Sequence, residues 1–353
     1  VEPRQFQRFT LWAIWSLSAI VVTGAAVRLT GSGLGCPDWP TCEDTNLVSP
    51  WEYHAVIEFG NRVVTGLVSV AVALAVLGSI WRQPRRWDLI WWSLGLVGGV
   101  GAQVLLGRWV VTSHLTPWIV MAHFLVSMVL LWNAIVLHHR AKLPDQVAGG
   151  LGESPASGPG AQLTAISPGA QLTANGTLTR PAGQVRLLMW LAAAVAGWVL
   201  VSGTIVTGAG PHGGDEDAER LNYDISNVAR IHAIGVIVLL VIVLWLFWIL
   251  SRGPNWEHYL QACYTLLGII LAQGFVGYVQ YFNDVPELLV GLHVIGAVSV
   301  WWAMLNLHLV VLPPKRPGGQ PVAASEIGKP VPTSRIKAHA FSTSDAGSRS
   351  HPG

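Results

Sequence analysis

Eight stretches of mostly apolar residues recur along the chain, near 9 to 28, 56 to 80, 89 to 112, 117 to 138, 187 to 207, 229 to 251, 259 to 282 and 287 to 311. A hydrocarbon core about 30 Å thick takes about 20 apolar residues per helical crossing. Within lipid, a spanning segment must satisfy its own backbone hydrogen bonds. The pattern therefore predicts an all-α integral membrane protein with eight transmembrane helices. Composition agrees, since only 11% of the residues are charged, against roughly 25% in a soluble domain. The first run reads as a retained helix rather than a cleaved signal peptide, because Arg28 and a glycine-rich stretch follow it without a small-residue cleavage site.

Orientation follows from the basic residues. Arg4, Arg8, Arg82, Arg85, Arg86, Arg140, Lys142, Arg186, Arg252, Lys315 and Arg316 fall on one side if the runs alternate. This predicts a multi-pass cell-membrane protein with both termini cytoplasmic. The net charge of +2 lies in juxtamembrane loops and a tail, and no nucleic-acid motif accompanies it.

Residues 141–186 are rich in Gly, Pro, Ser, Thr and Ala and carry GAQLTA twice, at 160 and at 169. They read as a flexible cytoplasmic linker. The tail at 313–353 has too few large apolar residues to fold alone. The linker separates a half at 1–140 from a half at 187–312, and the two halves repeat. A shift of 170 residues lays 102–138 on 272–308, where Ala102, Gln103, Gly107, His123, Trp132 and His138 meet identical residues. VTGAAVRLTGSG (22–33) likewise resembles VSGTIVTGAG (201–210), and IEFGNRVVTG (57–66) falls against VARIHAIGVI (228–237), setting Asn61 opposite His232. Four spans per half give both halves one orientation, so the repeat is parallel and matched residues share a depth. Two tandem four-helix bundles related by a pseudo-twofold axis are the simplest architecture.

Ionisable groups inside a span are costly and mark function by default. His123, His232 and His293 lie in the fourth, sixth and eighth runs, and Glu58 opens the second. A lone intramembrane histidine is more often a helix-to-helix hydrogen bond. Here the position recurs: His123 matches His293, and His232 completes a pair in the second half. That layout suits a haem iron held by two imidazoles. Zinc or copper would ordinarily add Cys, Met or carboxylate, and no third ligand repeats. Arg28, Arg62, Arg108 and Arg230 stand at the external ends of helices, against the usual basic preference. They are candidate partners for haem propionates, or else snorkel to lipid headgroups or pair with acids.

The first half has Asn61 where a second histidine would stand, with Glu58 one helical turn earlier on the same face. Asn is a poor iron ligand, so a haem on His123 alone would keep one iron face open. Glu58 would serve there as a proton donor or polar contact, or simply pair with Arg62. His54, His114, His138, His139 and His308 lie near helix ends, where surface or interfacial roles suffice. Cys36 and Cys42 share the first external loop and either pair in an oxidising compartment or stay free. Cys263, inside the seventh run, reads as a small packing residue.

These residues resemble the heme A synthase family of cytochrome oxidase assembly. TGAAVRLTGSGLGCPDWPTC (23–42), IEFGNR, AHFLVS, RIHAIG and GLHVIGA carry the resemblance, which spans residues 5 to 312. It implies two successive hydroxylations of a methyl group on the substrate heme O, giving a gem-diol that loses water to leave the formyl group of heme A. It further implies a resident haem b on His232 and His293 in the second half, and substrate on His123 with Glu58 as a functional glutamate in the first. Cys36 and Cys42 match the family's external pair. An external electron donor or acceptor is implied. The heme O synthase (protoheme farnesyltransferase) is an expected partner for substrate delivery, and homo-oligomers are compatible with the pattern. The chain departs from many members at Asn61, where they carry histidine, and in GPHGGDEDAERLNYD (210–224), where some carry a second cysteine pair. A b-type cytochrome that only transfers electrons, or a haem carrier, are the alternatives; the first would need saturated ligation at both haems.

Overall fold

The computed structural model describes residues 1–36, 38, 39, 41, 42, 49–143, 145, 171, 172, 178, 179, 183–253 and 256–313. Eight helices among them are long and apolar enough to cross a membrane. They are α1 (Pro3–Leu29), α2 (Tyr53–Trp81), α3 (Trp87–Thr112), α4 (Pro117–Lys142), α5 (Gly183–Ala209), α6 (Ile225–Ser251), α7 (Trp256–Phe282) and α8 (Glu287–Val311). Each of the eight expected runs lies within a helix; seven of the helices extend past their run at one end or both, and α8 coincides with its run. The overhang has a simple cause. A 27-residue helix such as α1 is about 40 Å long, so its ends pass through the headgroup region, where prolines at the first turns of α1 and α4 start the helices.

Outside the helices, β1 (Gln171–Leu172) pairs antiparallel with β2 (Leu178–Thr179). Most of the expected flexible linker, and residues 314–353 of the expected disordered tail, lie outside the described residues.

In the first half α1 packs on α2 and α4, and α3 packs on α2 and α4; in the second, α5 packs on α6 and α8, and α7 on α6 and α8. Each half is thus a square in which α2 faces α4, and α6 faces α8, across the middle. Between halves, α1 meets α8, α5 meets α4, and α4 meets α8. Exchanging α1 with α5 and α4 with α8 maps these contacts onto themselves. Lipid offers no hydrophobic drive for helix association, so close approach and hydrogen bonds must hold the helices together. Both are present. Gly78 lets α2 sit on Phe6 and Phe9 of α1, and Gly235 lets α6 sit on Trp198 of α5. Across the seam, Trp301 Nε1 donates to the Met128 carbonyl at 3.0 Å, and His139 Nε2 meets Asn306 Oδ1 at 3.2 Å. His138 is buried and bonds Thr10 Oγ1 at 2.8 Å, so it ties α4 to α1.

The repeat extends to backbone detail. His114 and Leu115, ahead of α4, have φ of 51° and 61°, and Asp284 and Val285, ahead of α8, both have 58°. Two successive left-handed non-glycine residues are rare, and 170 residues separate the pairs, as they separate the matched sequences. In each turn the second residue donates back to the preceding helix at 2.9 Å, Leu115 to Val110 and Val285 to Gln280. The helix that follows begins six residues before His123 at Pro117 and six before His293 at Glu287. Both imidazoles therefore lie about 9 Å below the external helix ends.

On the opposite face Arg82, only 1% exposed, meets both oxygens of Asp145 at 2.7 and 2.9 Å. This fixes the residue just past α4 to the α2–α3 turn. Asp145→Ala should destabilise the detergent-solubilised protein by about 2 kcal/mol, short of the fully buried case because Asp145 is 21% exposed. Thermal unfolding would measure it, and Asp145→Asn should recover part of the loss.

Candidate functional site

His232 on α6 and His293 on α8 face each other with ring centroids 6.3 Å apart. Imidazole nitrogens bonded at about 2 Å to one metal ion put their rings roughly this far apart, so the pair fits a single iron between them. The local hydrogen bonds suit that use. Ser202 Oγ donates back to the Val199 carbonyl at 3.1 Å, so its lone pair is free to accept from His232 Nδ1, also 3.1 Å away. A proton held on Nδ1 leaves Nε2 with a lone pair for a metal. His293 has a buried Nδ1 without a partner, and its backbone carbonyl accepts from Gln273 Nε2 at 2.7 Å.

Each ring rests on a helical glycine. A Cβ at Gly203 would lie 3.1 Å from His232 Cε1, and one at Gly277 would lie 2.9 Å from His293 Cε1. A Cβ at Gly296 would overlap Gln273, which links that glycine to the same support.

The first half repeats the supports and changes one side chain. Gln103 Nε2 donates to the His123 carbonyl at 3.1 Å, as Gln273 does to that of His293. Gly107 faces His123 Cε1 at 3.6 Å, and His123 Nδ1 is buried without a partner. Thr23, the repeat mate of Ser202, donates to Asn61 Oδ1 at 2.8 Å. Asn61 thus stands where His232 stands, held by the same hydroxyl position. The repeat in the sequence pairs Gln103 with Gln273 and Gly107 with Gly277 but gives them no role, and it leaves Thr23 and Ser202 without one, because equal spacing does not say which group a side chain will reach.

Glu58 is 6% exposed. Its Oε1 pairs with Arg62 Nη2 at 2.6 Å, and its Oε2 accepts from the Cys36 N–H at 2.7 Å. Arg62 also donates to the carbonyls of Cys36, Asp38 and Thr41. Cys36 and Cys42 are bonded as a disulfide, so Glu58 and Arg62 clamp the closed loop onto the external end of α2. Arg28 donates to the His212 carbonyl at 2.7 Å and the Thr207 carbonyl at 3.0 Å, joining α1 to the second half. Arg108 and Arg230 remain exposed, and Arg108 lies 5.8 Å over the Trp39 ring. The four arginines therefore divide: Arg28 and Arg62 bind backbone, while Arg108 and Arg230 point outward. The acidic loop 210–224 is held by Arg28, by Gly33 N–H to Gly214 O at 2.8 Å, and by His212 Nε2 at 2.7 Å from Val285 O. Among the described residues no cluster of three or more His, Cys, Asp or Glu could hold a metal ion; a porphyrin iron needs only its two axial ligands from the protein.

The glycine contacts make a graded prediction. Gly277→Ala should push His293 aside at a cost of about 2 kcal/mol and lower the haem retained through purification, read by absorbance. Gly107→Ala, at ordinary contact distance, should change it little, and Gly101→Ala, whose Cβ meets nothing within 4 Å, should not change it.

Comparison with known proteins bears on what this frame belongs to. A family model described as cytochrome oxidase assembly protein (COX15-CtaA) matches residues 7–52 and 48–305. The heme A synthase of Symbiobacterium thermophilum is 29% identical over 316 residues, covering 81% of this chain and 88% of that protein. Those of Geobacillus kaustophilus and Geobacillus thermodenitrificans are 36% and 32% identical over 124 and 159 residues, or 34% and 43% of this chain. These two matches span 38% and 49% of the relatives' own lengths. With a match running through all but the ends of both helical halves, the chain belongs to the COX15-CtaA family of cytochrome oxidase assembly proteins.

Proposed function

We propose that this protein is a heme A synthase, a haem-dependent oxidoreductase that converts a methyl group of heme O to a formyl group by two successive hydroxylations. The observation that carries the proposal is the asymmetry of two matched sites: His232 with His293 at 6.3 Å, against Asn61 with His123. The helix contacts support reading the halves as tandem bundles, 1–140 for substrate and 187–312 for the resident group. In the second bundle His232 and His293 would hold haem b, which would supply one-electron chemistry there; a pair of imidazoles suits electron transfer rather than reaction at the iron. In the first bundle His123 holds the iron of heme O, and Asn61 leaves the opposite face accessible.

The protein's own part is to bind, orient and exclude water. The apolar helices would enclose the porphyrin faces, and Arg108 and Arg230, exposed at the external ends of α3 and α6, would meet propionates there, beside Arg28 and Arg62, which bind backbone carbonyls. Glu58 lies on the face of α2 that carries Asn61, one turn nearer the external side. It acts on the substrate site through a carboxylate that Arg62 and the Cys36 N–H hold in place. Electrons pass to or from a donor or acceptor outside the chain, substrate arrives from the heme O synthase, and the protein works in the cell membrane with both termini cytoplasmic. Homo-oligomers are compatible with this arrangement.

Extraction of pigments from purified protein, with chromatographic separation of haems b, O and A, tests the proposal. Wild type should carry haem b together with heme O or A, and His293→Ala should lose mainly haem b. Haem b alone, near two per chain, would instead indicate an electron-transfer cytochrome. Glu58→Gln keeps the size of the side chain and removes its charge. It should lower heme A formation about 100-fold if Glu58 moves a proton, whereas a haem carrier would form no heme A even as wild type and would keep its pigment in Glu58→Gln.

A further inference from the structure

The two halves present one frame with different contents, and the difference leaves a directed polar group in the first. In the second half the hydroxyl of Ser202 meets His232, whose ring fills the space beside Gly203. In the first half the hydroxyl of Thr23 donates to Asn61 Oδ1 at 2.8 Å, while a Cβ on Gly24, the repeat mate of Gly203, would meet nothing within 4 Å. Space that an imidazole fills in one bundle is open in the other. Thr23 Oγ1 has one proton and two acceptors in reach, the Ile20 carbonyl at 3.3 Å and Asn61 Oδ1 at 2.8 Å; with the proton in the shorter contact Oδ1 faces Thr23 and the amide nitrogen points the other way, where no described residue meets it. The Asn61 carbonyl is likewise taken, by Thr65 Oγ1 at 3.2 Å. The helix that carries Asn61 faces α4, which carries His123 with its unpartnered Nδ1.

We infer that Asn61, oriented by Thr23, is a hydrogen-bond donor to a small ligand, a water or a diatomic molecule, on the porphyrin face opposite His123. This rests on the reading that substrate haem occupies His123. It adds that the replacement of histidine by asparagine does more than open a coordination position: it supplies two N–H donors aimed at that position. Asn61 would touch the ligand itself, whereas Thr23 is a positioning residue that fixes which end of the amide faces inward. An unpartnered N–H inside a membrane is costly, so the same donor that steadies the ligand gains its own partner when the site is filled.

Carbon monoxide is the probe. The full-length protein, purified with its pigments and reduced, should bind carbon monoxide at the first-half haem only, because the second-half iron is saturated by His232 and His293. Asn61→Leu, close in size but without a donor, should move the C–O stretching band to higher frequency and speed release of carbon monoxide roughly fivefold, the effect of one net hydrogen bond. Thr23→Val should broaden or split the band as the amide loses its fixed orientation. Asn61→His should abolish carbon monoxide binding and convert the first-half haem to a low-spin spectrum like that of the second. The low-spin spectrum of the His232–His293 haem, unchanged in every variant, reports that each one folds. An unshifted band in Asn61→Leu overturns the inference, as does a wild type that binds no carbon monoxide while carrying heme O or A. A wild type that carries neither heme O nor heme A overturns the substrate-site reading and the inference together, and pigment extraction from the same preparation tells the two failures apart.

Discussion

An imidazole about 9 Å below the end of a membrane helix has few ways to meet its hydrogen-bonding needs, and the arrangement of this protein follows from that constraint. Water is scarce at that depth, and a polar group without a partner is expensive. His232 is met by Ser202 on one side, yet His123 and His293 keep a buried nitrogen with none. These residues sit on helices that lie opposite each other, α2 across from α4 and α6 across from α8, while neighbouring helices pack closely through glycine. The space between the opposed helices is where the polar groups gather.

Around that space the support is built twice. A glutamine on the third helix of each half holds the carbonyl of the histidine on the fourth, and a glycine one turn further along bears its ring. A turn with two left-handed residues sets the start of the fourth helix and therefore the depth of the histidine. With so much held constant, a few exchanged side chains separate the two sites, chiefly Asn61 for His232 and Glu58 for Ala229. Histidine at 232 completes a pair; asparagine at 61 does not, and it is gripped by a hydroxyl at the same place. Substitution inside a repeated frame preserves position and changes chemistry.

The external face shows how charge is used when loops must be held over such sites. Arg62 gathers three carbonyls of the disulfide loop and the carboxylate of Glu58, and Arg28 reaches from α1 to carbonyls of the second half. A guanidinium has several donors in a fixed fork, so one side chain can close a loop that no regular structure would hold. Glu58, drawn into that clamp, is tied to the loop and to the face of Asn61 together. The loop at 210–224 contains no cysteine and is tied down by Arg28, His212 and the Gly33–Gly214 backbone contact.

Much of this was legible in the sequence for physical reasons. Eight apolar runs of membrane-spanning length could only be helices, because lipid allows the backbone no other partner within one segment. The repeat, once seen, placed His123 with His293 and Asn61 with His232, since equal spacing from matched helix starts means equal depth. The disulfide was open as a choice between bonded and free thiols, and the structure joins Cys36 to Cys42. Other features depended on contacts between distant segments, about which spacing is silent. Thr23 reaches Asn61 across 38 positions, and Arg28 reaches His212 across 184. His138 pairs with Thr10 in the interior, where a position near a helix end suggested only an interfacial role. The sequence by itself determined which residues lie in the membrane and at what depth, because those follow from helical rise and hydropathy. The tertiary structure alone decided which polar groups satisfy one another and which are left facing the space between opposed helices, because that depends on how neighbouring helices are rotated and how closely they approach.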